Sequence, residues 1–303
     1  MENLRAIGLM VAAMATFAAS DLFIIYASRT LSIAEIMFFM GVFGSLVFAG
    51  LTKAAGLPVF SRLFFHPMVI LRNGAEILGS ICMITALTLA PLSLVSSITQ
   101  AMPLVVTAGA ALFLGEKVGP RRWIAVMIGL AGVLLILRPG AGGDGGTNLS
   151  LGALIAVGAT LGLGGRDVIT RLAPKEISTL QLATYAFFML VPIGAVLLAL
   201  GPARPSRTLL ELGWLVCAAG TAAMGYYAIT AAMRIGEISA VSPFRYSRLI
   251  FALMLALVFL GERPDAITLI GAVIIIASGL FVLLRTRQIY RPQASVSPSP
   301  KSG

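Results

Sequence analysis

Seven ionisable side chains stand inside long apolar stretches of this sequence, and they have the greatest capacity for chemistry. A lone charge in an apolar medium is costly, so each must pair with an opposite charge or face water. Guanidinium groups bind carboxylates and phosphates, whereas carboxylates accept hydrogen bonds and bind cations. The pattern therefore indicates ion pairs, gates or a site for a charged ligand. The seven residues are Asp21, Arg72, Glu76, Arg166, Asp167, Arg245 and Arg248.

The spacing of four of them predicts which side chains share a helical face. Arg72 and Glu76 are four residues apart, so they lie on one face and are able to pair. That pair is interpreted either as part of a gate or as a contact that only stabilises helix packing. Arg166 and Asp167 are adjacent, and their directions along a helix differ by roughly 100°. We therefore expect each of these two to find its partner on another helix.

Arg245 and Arg248 are three residues apart and also share a face. Their helix is predicted to start near Ile238, so at ~1.5 Å per residue Arg248 lies ~15 Å along it. This depth is near the middle of a ~30 Å hydrocarbon layer, which favours a cavity or a gate. Asp21 and Asp167 lie within two turns of their predicted helix ends, so each is either a site residue or an interfacial cap.

The composition indicates which elements position these residues. Of 303 residues, 58% are apolar and 11% are charged, whereas soluble domains are about half apolar and a quarter charged. Because ~20 apolar residues cross a bilayer as a helix, the sequence predicts an all-α integral membrane protein with ten spans. The predicted helices cover 4–27, 33–52, 68–90, 92–114, 120–137, 150–172, 178–200, 208–233, 238–260 and 264–284.

A Gly-rich linker at 138–149 is expected to divide the chain into five-helix units at 1–137 and 150–284. The basic tail at 285–303 is rich in Pro and Ser and is expected to be disordered. Thirteen Lys and Arg residues fall on the side of the N-terminus and five on the other side, so both termini are predicted to be cytoplasmic. The net charge of +10 reflects this bias rather than binding to nucleic acid.

A fixed shift of 146 residues superimposes the two halves. It brings Asp21 onto Asp167, and Glu116 onto Glu262, and both glutamates follow a glycine. Only twelve acidic residues occur in the chain, so two acidic matches at one shift are informative. Because five spans is an odd number, the second copy must enter the membrane upside down as an inverted repeat. The two glutamates end their spans and are interpreted as loop and cap organisers.

The segments 86–140 and 232–287 share one further pattern. Each has a span that ends in Gly-Glu, a short polar loop, and a closing span with a late glycine, Gly132 or Gly279. In this pattern the chain resembles the EamA-type ten-helix carriers of the drug/metabolite transporter superfamily, over about residues 4–285. The resemblance implies carriage of a small organic metabolite through a central cavity by alternating access. Members carry amino acids, riboflavin, S-adenosylmethionine, nucleotide sugars or drugs, so the resemblance leaves the cargo open.

Softer polar groups complete the expected site. Gln100 and Tyr246 correspond under the shift of 146, so both are expected to line one cavity from symmetric helices. Tyr226 and Tyr227 are further candidates, and each tyrosine is alternatively a packing residue. The spacing Gly158-x-x-x-Gly162 predicts close helix packing rather than a phosphate loop, because no strand precedes it and no Lys-Ser/Thr follows it.

The charge balance of the spans predicts the cargo. The four span arginines exceed the three span acids by one, and an unpaired buried cation is costly. We therefore expect an anionic group, favoured to be a carboxylate, at Arg245 or Arg248, with Asp21, Gln100 or a tyrosine near its other end. Guanidinium presents a planar fork that holds a carboxylate bidentately.

These features predict a secondary transporter for an amino acid or another carboxylate-bearing solute, in a bacterial inner membrane. The alternatives are a passive channel or permease, or a carrier for riboflavin, S-adenosylmethionine or drug-like solutes. With one histidine at a membrane edge and no cluster of acids, we expect no enzyme activity, no cofactor and no metal. The expected partners are a small-molecule substrate and membrane lipid.

Overall fold

The computed structural model describes residues 2–116, 118–137, 146–174, 176–201, 208–235 and 241–289. Within these ranges the protein is helical, without a strand. The predicted linker lies outside the described residues from 138 to 145, and so does the predicted tail from 290 onward. The helix after the linker begins at Gly146, before its predicted start near 150, and the last helix continues to Ile289.

Ten helices are long and apolar enough to cross a membrane, which confirms the predicted all-α membrane architecture. A short 3-10 helix at Arg62–Phe65 precedes the third of them. We label the spans in chain order: α1 Glu2–Ser28, α2 Ile33–Ala54, α3 Pro67–Leu89, α4 Leu92–Phe113, α5 Pro120–Leu137, α6 Gly146–Thr170, α7 Thr179–Leu200, α8 Leu209–Ile235, α9 Pro243–Leu260 and α10 Ala266–Ile289.

The second helix of each repeat begins with the same capping arrangement. At α2 the Ser32 hydroxyl accepts from the backbone N–H of Glu35, whose carboxylate accepts from the Ser32 N–H. At α7 Ser178 and Gln181 make the same reciprocal pair. A capping box satisfies two backbone donors that a helix start leaves free. The two capping boxes are 146 residues apart, so Ser32 and Ser178 are a further pair of equivalent positions in the two repeats.

Helix packing follows the repeat. α1 of the first repeat packs along α8 of the second, and their equivalents α6 and α3 pack in the same way. In addition, α2 packs on α7, and α5 packs on α10. At the crossing of α3 and α6 the backbones touch, because a Cβ on Gly162 would lie 2.7 Å from the Cα of Gly79. At the equivalent crossing a Cβ on Gly225 would lie 2.8 Å from the Oγ1 of Thr16. The close packing predicted for Gly158 and Gly162 is confirmed.

Two spans are interrupted at equivalent positions. The helix of α4 breaks at Gln100 and Ala101, and α9 passes there from a 3-10 turn to an α-helix at Tyr246 and Ser247. The two breaks meet, since the Gln100 Nε2 donates to the carbonyl oxygen of Tyr246 at 3.3 Å. Gln100 lies near the middle of the 22-residue α4, so the breaks are at mid-depth. Carriers bind their cargo at such discontinuities between repeats.

Candidate functional site

The two arginines of α9 lie between the two aspartates that the repeat relates. Arg248 Nη2 is 2.6 Å from Asp21 Oδ2 on α1. One turn earlier, Arg245 Nη2 is 4.0 Å from Asp167 Oδ2 on α6. The break in α9 immediately after Arg245 places that guanidinium beside the contact between the repeats. One helix of the second repeat thus brings a positive charge to an acid from each repeat.

A network of alternating charges continues from Asp167 towards α3. Arg166 pairs with Asp167 at 2.8 Å and, through its Nη1, with both carboxylate oxygens of Glu76 at 2.9 and 3.1 Å. Arg72 Nη2 is 2.9 Å from Glu76 Oε2, so the predicted pairing of Arg72 and Glu76 is confirmed. The expectation that Arg166 and Asp167 find partners only on other helices is wrong for this pair. The long Arg166 side chain bends back to its neighbour and still reaches α3.

Accessibility increases along this network towards α9. The side chain of Arg72 is 3% exposed and that of Arg245 is 37% exposed. Arg72 also donates to the Asn73 side chain and to the Leu182 carbonyl oxygen. Within the described part of the chain, the Arg245 guanidinium reaches a carboxylate only at 4.0 Å. Because lipid does not solvate a guanidinium, the accessible surface of Arg245 must face water or a ligand. Of the four arginines in this set, Arg245 is the one without a carboxylate within 3 Å in the described ranges.

The polar side chains expected at the site behave differently from one another. Gln100 reaches the centre, but Tyr246 contributes its carbonyl oxygen there and not its ring. The Tyr246 hydroxyl is buried against Gly279 of α10, without a hydrogen-bond partner among the described residues. Tyr226 packs edge-on against Phe48, within electrostatic range of the Arg166 network.

Tyr227 is not brought to the site. Its side chain is exposed, and in the described part of the chain it makes no hydrogen bond to the charged groups. Adjacent helical residues point roughly 100° apart, so the inward position of Tyr226 turns Tyr227 outward. This tyrosine belongs to the packing or lipid-facing alternative.

The two Gly-Glu motifs are organisers of helix ends, as predicted. Gly115 and Gly261 have φ of 68° and 66°, a left-handed conformation that favours glycine. Glu262 accepts hydrogen bonds from the first turn of α4, whereas Glu116 pairs with Arg171. The sequence predicted a capping role but missed which helix Glu262 caps. Ser93 was the one sequence feature that pointed to this contact, because a serine in the first turn of α4 offers both an N–H and a hydroxyl to a carboxylate.

No group of three or more His, Cys, Asp or Glu side chains suited to hold a metal ion occurs among the described residues. The charged groups at the centre are instead joined to arginines. The arrangement is suited to binding an ion of opposite charge or a zwitterion by hydrogen bonds and ion pairs.

Several transporters are similar to this chain in sequence. It is 27% identical to the pseudopaline exporter of Pseudomonas aeruginosa, over 93% of this chain and 97% of that protein. It is 26% identical to an S-adenosylmethionine uptake transporter of Rickettsia bellii, over 91% and 92% of the two chains. A riboflavin transporter of Rhizobium johnstonii is 29% identical over 68% of this chain and 66% of its own length.

The fold is also known from experiment. A crystal structure superimposes with a TM-score of 0.65 at 17% identity and covers 94% of this chain and 99% of the other. The EamA-like transporter family matches the chain twice, over residues 4–138 and 150–284. These two matches coincide with the five-helix units that the packing relates. The protein is an integral membrane transporter rather than an enzyme, and it belongs to the EamA-like transporter family.

Proposed function

We propose that this protein is a secondary transporter that carries a small carboxylate-bearing organic solute by alternating access, with an amino acid as the favoured cargo. In this proposal Arg245 binds the carboxylate at the contact between the two repeats. The single observation that carries the proposal is the incomplete pairing of Arg245. Among the described residues its nearest ion-pair partner is a carboxylate at 4.0 Å, and its side chain is 37% exposed.

The charges around Arg245 support an anionic group in the cargo. Four arginines and three acids of the described residues make up these ion pairs, so the set has one excess positive charge when all are ionised. Arg72, Arg166 and Arg248 each have a carboxylate within 3 Å. The surplus is therefore concentrated at Arg245, where a cargo carboxylate offsets it.

The position of Asp167 favours a zwitterion over a simple anion. Its Oδ1 is engaged by Arg166, while its Oδ2 has the distant Arg245 as its neighbour. An amino acid placed between the two has its carboxylate on the guanidinium and its ammonium group on Oδ2. A purely cationic solute would meet the positive surplus and bind poorly.

The proposed setting is a bacterial inner membrane with both termini in the cytoplasm. The bias of Lys and Arg towards the loops on that side supports it. The division into repeats at 1–137 and 150–284, joined by 138–149 and followed by the tail 285–303, is part of the same proposal. An inverted pair of units provides the two states that alternating access requires.

The relatives supply the second candidate. Their named cargoes are riboflavin, S-adenosylmethionine and pseudopaline, so this family scaffold accommodates solutes larger than an amino acid. A carrier of riboflavin or of a drug-like solute would not need Arg245 for recognition. A passive channel is separated from a carrier by counterflow, since only a carrier accelerates uptake of label when unlabelled solute is trapped inside.

The experiment is a binding and counterflow screen on purified protein in liposomes. Amino acids, flavins and nucleosides are tested with and without a pH gradient, against the parent and Arg245→Gln. We expect a carboxylate-bearing solute to bind the parent and the variant to lose roughly ten- to hundredfold in affinity. The methyl ester of the same solute serves as the matched ligand control. Equal binding of acid and ester, or equal binding by the parent and Arg245→Gln, would refute the carboxylate assignment.

A further inference from the structure

Glu262 joins the two repeats at one face of the protein. The left-handed Gly261 turns the chain at the end of α9, and the Glu262 carboxylate then meets the first turn of α4. Its Oε1 accepts from the Leu92 N–H at 2.7 Å, and its Oε2 accepts from the Ser93 N–H at 3.0 Å and the Ser93 hydroxyl at 2.7 Å. First-turn N–H groups have no partner within their own helix and attract negative charge.

We infer that Glu262 is a clasp that seals this face and that must release before the face opens to the cargo. Glu262 belongs to the second repeat, whereas Leu92 and Ser93 belong to the first. The helices it joins, α4 and α9, are those whose breaks meet at mid-depth. Separating the repeats at the Glu262 face, where α4 begins and α9 ends, therefore requires loss of all three hydrogen bonds.

The equivalent glutamate at the opposite face is in a different state. Glu116 follows a left-handed Gly115, and its N–H bonds to Ala110 as the Glu262 N–H bonds to Ala256. The backbone is thus the same at both motifs. The Glu116 carboxylate, however, pairs with Arg171 at 2.8 Å, and its side chain is 42% exposed. The carboxylate of the motif thus binds buried backbone donors at one face and an exposed arginine at the other. The positions equivalent to Leu92 and Ser93, 238 and 239, lie outside the described residues.

The contacts at mid-depth show the same asymmetry independently. The spans alternate in direction, so Asp21 lies on the side of the Glu262 face and Asp167 on the side of the Glu116 face. Arg248 holds Asp21 at 2.6 Å, whereas Arg245 is 4.0 Å from Asp167. The tight ion pair and the clasp are on one side, and the loose pair and the half-exposed Glu116–Arg171 ion pair are on the other. This is the arrangement of a carrier sealed at the Glu262 face.

Ser96 provides a reporter for this seal. It lies in α4 one turn after Ser93 and is buried. Its hydroxyl makes no hydrogen bond to any described residue, so Ser96→Cys should change little. With the two native cysteines, Cys82 and Cys217, replaced by serine, the rate of maleimide labelling at position 96 measures opening of the face. We expect slow labelling in the parent background and a rise of about tenfold with Glu262→Gln, which removes the charge that holds the donors. Ser93→Ala removes one of the three bonds and should give a smaller rise.

Two matched controls separate release of the clasp from general loosening. Glu116→Gln makes the same chemical change at the opposite face and should not raise labelling at position 96. Ser278→Cys, buried in α10, should stay protected in Glu262→Gln. Three outcomes would overturn the clasp. They are fast labelling of Ser96→Cys without any clasp mutation, no rise in labelling with either Glu262→Gln or Ser93→Ala, and an equal rise at Ser278→Cys. Ser93→Ala carries the test if Glu262→Gln fails to fold. No cargo is used, so the outcome is independent of the carboxylate proposal.

Discussion

Removing Arg248 should destabilise the protein far more than removing Arg245. Asp21 is buried, with a side chain that is 6% exposed, and the Arg248 guanidinium at 2.6 Å is its hydrogen-bonding partner. Loss of one member of a buried ion pair costs about 3–5 kcal/mol because the other charge is left uncompensated. Arg248 is itself 21% exposed, so water relieves part of this cost, and we expect about 2–4 kcal/mol for Arg248→Gln.

The matched comparison is Arg245→Gln. Its ion pair is 4.0 Å long and its side chain is 37% exposed, and pairs of this kind contribute about 0–1 kcal/mol. The two substitutions are chemically identical and lie one turn apart on the same helix. Any difference between them therefore reports their partners and not the loss of an arginine as such.

Thermal unfolding followed by tryptophan fluorescence provides the measurement. Trp214 stacks on Phe23, with ring centroids 5.9 Å apart, and so reports the packing of α8 on α1 near Asp21. At about 2–4 °C per kcal/mol, Arg248→Gln should lower the midpoint by roughly 4–16 °C and Arg245→Gln by no more than about 4 °C. Asp21→Asn combined with Arg248→Gln should recover much of the loss, because neither charge is then stranded.

Three results would refute this reasoning. The first is an equal fall for Arg245→Gln and Arg248→Gln. The second is a neutral Arg248→Gln, which would mean that Asp21 is solvated or has another partner. The third is a double variant whose loss equals the sum of the two single losses, since independent sites show no coupling.

Two further predictions concern packing and topology. Gly162→Ala should lower the free energy of unfolding by about 1–3 kcal/mol, because its Cβ would lie 2.7 Å from the Gly79 backbone. Gly165→Ala is the control and should be nearly neutral, since the space around Gly165 is open. Equal losses in thermal unfolding would contradict the close crossing. In whole cells, with Cys82 and Cys217 replaced, an impermeant maleimide should label Thr147→Cys and not Ser302→Cys, since the Lys and Arg bias places the termini inside. The reverse labelling would invert the proposed topology.

The architecture was predictable because its causes are local or compositional. Ten apolar stretches of sufficient length require ten spans, and a repeat of 146 residues with five spans requires inversion. The capping boxes at Ser32 and Ser178 and the left-handed turns at Gly115 and Gly261 are set by residues within one turn of each other. Such features depend on short segments, which the sequence displays directly.

The side-chain partners at the site were less predictable because they depend on tertiary packing. An arginine side chain is long, so the direction of its Cβ does not fix where its guanidinium lies. Arg166 therefore pairs both with its neighbour Asp167 and with Glu76 on α3. Tyr246 was expected to line the cavity with Gln100 or to be a packing residue, and its ring lies against Gly279 on α10, where a glycine leaves room for it. The break in α9 then directs the Tyr246 carbonyl oxygen to the centre. Neither outcome follows from spacing along one helix.

The charged site departs from the symmetry of the scaffold that holds it. The aspartates at 21 and 167 are equivalent, but the equivalents of Arg245 and Arg248 in the first repeat are Thr99 and Met102. Both guanidinium groups therefore come from α9 alone, and they reach one aspartate of each repeat. The two aspartates are related by the repeat, whereas both arginines come from the second repeat. The two ion pairs, which lie on opposite sides of the middle of the membrane, are therefore unequal. Because the inequality arises from residue types, we expect the two access states of the proposed transport cycle to differ in their contacts even though the repeats share one backbone arrangement. If the proposed cargo carboxylate binds Arg245, it therefore replaces the weaker of the two contacts, the one with Asp167.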